Sequence, residues 1–403
     1  MNEHTSHRDR AAHLRDRRGR ERGAVIVLIA LALGVCICFS VMAIDVGLML
    51  LTRTQLQNAA DAAALAGVSA LRDNNQATAT ARAIAVAGQS LAWQDGMQPV
   101  VIADGDVTFP SNRRCRVTTH RTHATGDPLR TFFVRVIDAG NDRLADVTAV
   151  AEAEYYFICG TDCVKPWSVP DRWGDTDGDG EYDGPEPFTD ANGNEQWDPG
   201  EEFTDRNGNG QWDDGEPYDP IGTGYLPPGD VGLQVELKIG NPQDVITPSF
   251  FHAVCLPPLH SPYGSPEPGA SQYRWNIGNC SPFDVSVGDS LAVEPGNMQG
   301  PTRQGVQELI DQDPGAYWDV ANSAVAGSAF AKSPRIVKIP FFDPHSTPDP
   351  GRQFVQISKI GAFFIEGVRG NGTVTGRFMD SAATGTGCEP GQPGFLYGFR
   401  LVE

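Results

Sequence analysis

Three stretches of the chain place oxygen-bearing side chains at a spacing that suits a hard cation. Asp175, Asp177, Asp179, Asp183 and Glu186 occupy positions 1, 3, 5, 9 and 12 of a twelve-residue loop, with Gly180 at the sixth. Alternate side chains of such a loop turn inward around one ion, position 7 (here Glu181) offers its backbone carbonyl, and the glycine makes the sharp turn. The pattern recurs from Asp190, through Asn192, Asn194, Gln196 and Asp198 to Glu201. It recurs again from Asp205, through Asn207, Asn209, Gln211 and Asp213 to Glu216, with Gly210 at the sixth position. Starts at 175, 190 and 205 give a constant period of 15, and Phe188, Phe203 and Tyr218 repeat in step. A random acidic linker keeps no such register, so the segment reads as three Ca²⁺ loops rather than disordered chain. Carboxylate and carbonyl oxygens select Ca²⁺ over zinc or copper. Glu195 stands where the middle loop would have its turn glycine, which weakens that site.

The loops are not complete EF-hands. Position 8 is aromatic (Tyr182, Trp197, Trp212), and neighbouring Pro and Gly exclude flanking helices. The array is similar to dockerin or thrombospondin type 3 calcium repeats, which implies ions ordering a chain with little apolar core. The formal charge of the chain is −20, yet Asp175 to Asp219 hold sixteen acids against one base, Arg206, leaving only −5 elsewhere. Acidity confined to one insert makes nucleic acid an excluded partner.

The element that positions everything else lies near the start. Residues 1–22 carry seven Arg against four acids, and Ala24 to Ile44 is an uncharged run of 21 residues closed by Asp45. As a helix the run spans ~31 Å, about one bilayer core. The positive-inside bias predicts residues 1–22 as a cytoplasmic tail, 23–51 as a transmembrane helix, and the rest beyond the membrane. A cleaved signal would have a shorter apolar region and a small-residue cut site. Leu33-Gly34-Val35-Cys36 lacks the small residue a lipoprotein site needs, and no Gly cut is followed by the Glu of a prepilin. Asp45, at the far edge of the span, reads as a boundary marker rather than a proton relay.

Arg22-Gly-Ala-Val, the apolar run, Ile44-Asp45-Val46-Gly47 and Leu56-Gln-Asn-Ala-Ala-Asp-Ala-Ala-Ala-Leu-Ala-Gly67 together resemble the N-terminal segment of TadE/TadG-like proteins. Those belong to the Tad (tight adherence, or Flp) pilus-assembly system of bacteria. Arg130 to Arg135, Asp146 to Ala153, Pro295 to Thr302 and Ile339 to Pro344 are similar to TadG-like proteins too. The resemblance implies a single-pass inner-membrane protein, with pilus or pseudopilin components as partners.

Residues 52–165 read as a periplasmic helix plus small sheet, a pilin-like layout. Thr52 to Leu71 continues as helix, since Ala, Leu and Gln dominate without Pro. Ala59, Ala63 and Gly67 form a small-residue stripe for a second helix, either a partner's or one of its own domain. Asp73-Asn74-Asn75 breaks the helix, Ala77 to Trp93 forms a second, and Thr131 to Ile137 and Ala145 to Ile158 are strand-like. Residues 175–219 are the array and 226–403 a mainly β domain, making the fold class α+β. In that domain Leu233, Val235, Leu237 and Ile239 alternate with polar residues as a half-buried strand, and Gln304 to Asp311 is a short helix stopped by Pro314. Phe354 to Glu366 and Thr373 to Phe378 make a hairpin around an Asn-Gly turn.

Of eight cysteines, Cys36 and Cys38 lie in the apolar run and read as packing residues. The other six, an even number for an oxidising compartment, allow 15 pairings. Cys159–Cys163 and Cys255–Cys280 are the local expectations. No Gly-x-Ser-x-Gly, His-Glu-x-x-His or Walker motif is present. His120, His123, His252, His260 and His345 are scattered in loops, and Asp284-Val-Ser286-Val-Gly288 lacks the last hydroxyl of a von Willebrand A metal site. The chain therefore reads as a non-enzymatic, membrane-anchored structural component of Tad pilus assembly with a calcium-stabilised body. The second reading is a calcium-dependent surface adhesin that presents its C-terminal domain to a surface ligand.

Overall fold

A computed structural model describes residues 6–71, 75–94, 96–131, 144–194, 196–226, 229–240, 244–256, 269–345, 354–388 and 394–402, with side chains of the first helix from residue 25 onward. Most of the expected strand Thr131 to Ile137, the break at Asp73-Asn74, Glu195 and His260 lie outside the described residues. By internal contacts the chain divides into two units, Met1–Tyr155 with Phe399–Glu403, and Tyr156–Gly398.

Helix α1 (Ser6–Leu71) opens the first unit. It is long and apolar enough to cross a membrane, and its apolar stretch is exposed, Ile26 at 68% and Leu28 at 70%. Along this helix Asp45 is the first buried side chain among the described residues, at 6% exposure. From Thr52 the helix turns into core, with Leu56, Ala59, Ala60, Ala63, Ala64 and Val68 all fully buried.

The small-residue stripe is used within its own unit. Helix α2 (Gln76–Gln89) packs its buried Ala79, Ala83 and Ala87 against it. A Cβ on Gly67 would lie 2.5 Å from Cys115 Sγ and 3.4 Å from Ala83 Cβ, so only glycine lets helix and sheet meet here. Helix α2 starts where Asn75 Oδ1 accepts the Thr78 N–H at 2.9 Å, a side-chain cap. It ends earlier than expected: Gly88 lowers helix propensity, Ser90 is extended, and Leu91–Trp93 is strand.

Strands β1 (Val107–Ser111), β2 (Arg114–Arg121) and β3 (Val147–Thr161) are antiparallel neighbours, with Cys115 opposite Ala153. Period-2 alternation buries Cys115, Val117, Thr119 and Arg121 of β2. Thr119 Oγ1 donates to Leu56 O at 2.9 Å, tying sheet to helix. On the opposite face Arg114 pairs with Glu152 and Glu154, and Arg400 also pairs with Glu154. His120 Nε2 meets Asp106 at 3.0 Å and His123 Nδ1 meets Asp146 at 2.6 Å, so neither imidazole points to the other.

The second unit contains a closed six-stranded barrel. Its strands are β4 (Trp167–Pro170), β5 (Gln234–Ile239), β6 (Phe250–Ala253), β7 (Ile336–Phe342), β8 (Phe354–Val368) and β9 (Val374–Met379). The order β8-β7-β4-β6-β5-β9 returns to β8, with β4/β7 and β5/β6 parallel and the rest antiparallel. A barrel this small is filled by side chains. Trp167, Leu237, Phe251, Ile339, Phe341, Phe363 and Phe378 are buried in one cluster with Tyr273 and Ile277 of α3 (Ala270–Gly278) and Val306 and Leu309 of α4 (Gln299–Gln312). The β8–β9 hairpin turns at Asn371-Gly372, where Gly372 takes φ +82°. Helix α4 begins five residues before the expected start, because Thr302 Oγ1 and N–H both bond Met298 O and extend its first turn.

The cysteine pairing corrects the local expectation. The bonds are Cys159–Cys388 and Cys163–Cys280, separated by 229 and 117 residues, while Cys115 and Cys255 are buried thiols. Extended chain advances ~3.3 Å per residue, which carries Cys163 away from Cys159 and out of disulfide reach. Topology supplies the partners instead: Cys388 N–H donates to Phe157 O at 2.8 Å, and Cys163 N–H to Ser281 O at 2.9 Å. Cys255 is held by Ala292 O and lies against Glu294.

A candidate metal centre in the acidic array

The array sits inside the second unit, entered through Trp173 and left through Thr223, which pair as a β-bridge. Among its described residues no helix or long strand forms. Asp175 Oδ1 and Oδ2 accept the N–H groups of Gly178 (2.7 Å) and Gly180 (3.0 Å). Asp205 accepts those of Gly208 (2.6 Å) and Gly210 (2.9 Å) in the same way, and Asp190 that of Gly193 (2.6 Å). Gly178, Gly180, Gly193, Gly208 and Gly210 all have φ between +73° and +80°, the left-handed region that glycine enters without strain. Asn192 and Asn194 donate to Asp198 Oδ2 (2.6 and 2.8 Å), and Asn207 and Asn209 to Asp213 Oδ2 (2.8 and 2.7 Å). A half-turn of each amide would present its oxygen inward instead.

The in-phase aromatics form the small core of the array. Trp197 and Trp212 stack at 5.3 Å, Phe188 meets Trp212 edge-on at 6.0 Å, and Phe203 meets Trp197 at 6.2 Å. Tyr182 lies edge-on to Trp173 at 5.9 Å, and burial raises its phenol above the ordinary range. Tyr218, by contrast, is exposed.

The closing glutamates are arranged as the spacing alone does not say. In the middle loop Glu201 closes its own turn: its carboxylate accepts the N–H of Ala191 (2.8 Å) and of Asp198 (3.0 Å). In the outer loops the glutamates are exchanged. Glu216 accepts the N–H of Thr176 (2.6 Å) and Asp183 (3.1 Å), both of the first loop. Glu186 accepts the N–H of Arg206 (2.6 Å) and Asp213 (3.3 Å), both of the third. Backbone bonds Glu186 N–H to Asp213 O (2.9 Å) and Glu216 N–H to Asp183 O (2.8 Å) lock the crossing.

Turn chemistry separates Glu186 from Glu201. Asp198-Pro199-Gly200-Glu201 has Pro and then a positive-φ Gly at its centre, the order a tight turn favours. Gly184-Pro185 reverses that order, and Pro at the second central position resists the same turn. Glu186 is therefore carried outward to the third loop. The reversed dipeptide is a sequence signal for the Glu186 half of the exchange. Glu216 follows Asp214-Gly215, whose positive-φ Gly is placed as in the middle loop, and its crossing is fixed by the backbone bond to Asp183. At the crossing, Gly215 (φ +78°) approaches so closely that a Cβ would lie 2.7 Å from Gly184 C and 2.8 Å from Asp183 O.

Asp175, Asp177 and Glu216 bring ligand oxygens within 4.8 Å of one another, a set able to hold a metal ion. Asp183 is raised above the usual carboxylate range, first by partial burial and then by Asp177 and Asp179. Glu186 and Glu216 are 4% and 3% exposed and form no ion pair among the described residues. Two buried carboxylates answered by backbone N–H groups and one threonine hydroxyl, amid a charge of −15, form a setting that a cation would stabilise. Thr176 and Thr223 also belong to the first loop, through Thr176 Oγ1 to Glu216 (3.2 Å) and Thr223 Oγ1 to Asp175 (3.4 Å).

Away from the array, the apolar and packed parts of α1 lie in a stretch that known proteins share. The family described as Flp pilus-assembly TadE/G-like matches residues 23–72, beginning one residue before the apolar run and ending one residue past α1. No curated protein and no solved structure matches the chain. Residues 23–72 thus form a TadE/G-like pilus-assembly segment, joined to a mixed helix-and-strand body.

Proposed function

We propose that the chain is a single-pass inner-membrane, non-enzymatic structural component of a Tad-type pilus-assembly system, whose body is ordered by Ca²⁺. The observation that carries this reading is the placement of the TadE/G-like match on α1. Its exposed apolar stretch suits a bilayer, and its continuation is built into the core of the first unit. An anchor continuous with a folded domain transmits position rigidly from membrane to body. The Arg-rich tail supports a cytoplasmic N-terminus, with the body in the periplasm or beyond. The partners are pilus or pseudopilin components that meet the first unit.

Calcium would be held in three loops: Asp175, Asp177, Asp179, Glu181 and Asp183 in the first, Asp190, Asn192, Asn194, Gln196, Asp198 and Glu201 in the middle, and Asp205, Asn207, Asn209, Gln211 and Asp213 in the third. Glu216 and Glu186 would complete the outer two. The ion supplies the positive charge that the buried carboxylates lack. Deleting the gene and imaging cells by electron microscopy tests the reading. Loss of pili, restored by the full chain, is expected. Normal pili with lost calcium-dependent adhesion would instead make the body a surface-binding module.

A further inference from the structure

We propose that the two outer loops of the array form one reciprocally closed unit, each held shut by the other's glutamate, while the middle loop closes alone. Five bonds to the two glutamate carboxylates and two backbone bonds cross between the outer loops, and every one joins residues 20 to 40 apart in sequence. The middle loop's equivalents join residues three to ten apart. Order at Asp175–Asp183 therefore depends on the far end of the array, and residues 187–204 are looped out between two ends that hold each other. Trp212 Nε1 adds a further tie, donating to Glu186 O at 2.8 Å. The coupling rests on hydrogen bonds and needs no ion. With Ca²⁺, and resting there on the calcium reading above, the outer cations bind in one step and the middle cation in another.

Hydrogen–deuterium exchange on the full chain in detergent micelles tests this, with calcium and with chelator. Losing a buried charge-assisted bond speeds exchange by about tenfold or more. Glu216→Gln is expected to loosen residues 176–183 most, Glu186→Gln to loosen 206–213 most, and Glu201→Gln to loosen only 191–198. Gly215→Ala, which strikes the crossing backbone, is expected to loosen both outer loops and spare the middle one. The proposal is overturned if each glutamate variant mainly loosens its own repeat, or if the middle loop loosens equally with the outer two. The cross pattern in chelator without added protection from calcium would sink the calcium reading and leave the coupling standing. Calcium protection with purely local effects would do the reverse.

Discussion

His252 shows how burial outweighs a nearby carboxylate, Asp244, in setting a residue's chemistry. It lies in β6 between Phe250 and Phe342, its Nδ1 has no partner, and burial pushes its pKa down to about 4. A base whose folded value is depressed leaves stability intact above its unfolded value of ~6.5, and protonation removes it as pH falls toward the folded value. The window is therefore about pH 6.5 to 4, and the loss approaches ~3 kcal/mol. Urea denaturation of wild type and His252→Gln at pH 7 and pH 4.5 should show a smaller acid loss in the variant. Equal losses would mean the imidazole is not the group responsible.

Gly67 makes a packing prediction at the same scale. Gly67→Val should destabilise the first unit by ~1–3 kcal/mol, since the side chain must displace Cys115 Sγ. Adding Cys115→Ala should recover part of that loss, and a double-mutant cycle reads the coupling. Strict additivity would show that the two side chains do not meet.

Among the elements, the cysteine bonds and the array define what a local reading can reach. Strands β3, β5, β8 and β9, the β8–β9 turn and the loop glycines Gly180 and Gly210 were legible, because each depends on residues within one element. The barrel closure, the disulfides and the glutamate exchange depend on segments brought together over tens to hundreds of residues. All three glutamates share one spacing within their repeats; the order of Gly and Pro sets Glu186 apart from Glu201, but nothing beside Glu216 marks its exchange. Disulfide mapping should return Cys159–Cys388 and Cys163–Cys280, with Cys115 and Cys255 alkylated only after denaturation. Their thiols are buried, and burial raises them to about 11 and about 12, so little reactive thiolate forms at neutral pH. Rapid labelling of either in the folded protein would contradict this packing.

The array also predicts a calcium response. At ~1 mM free calcium and a Kd of ~10⁻⁴ M, each loop gains roughly 1.4 kcal/mol. The stacked Trp197 and Trp212 should report it as a fluorescence change that chelator reverses. Fluorescence indifferent to both calcium and chelator would leave the array a purely hydrogen-bonded structure.

At the scale of the whole molecule, one helix connects a bilayer-length apolar stretch to the first of two folded units, and the second carries the acidic array. The apolar run and its arginine leader were visible in the residues because length and composition, which are local, decide whether a helix can cross a membrane. On the proposed reading the arginine leader puts the body on the oxidising, calcium-containing side, where the two disulfides are stable. Protease added to intact spheroplasts, with a tag at the carboxyl end and a cytoplasmic protein as control, measures this directly. The tag is expected to be digested while the control survives. A tag spared until the membrane is broken would contradict it.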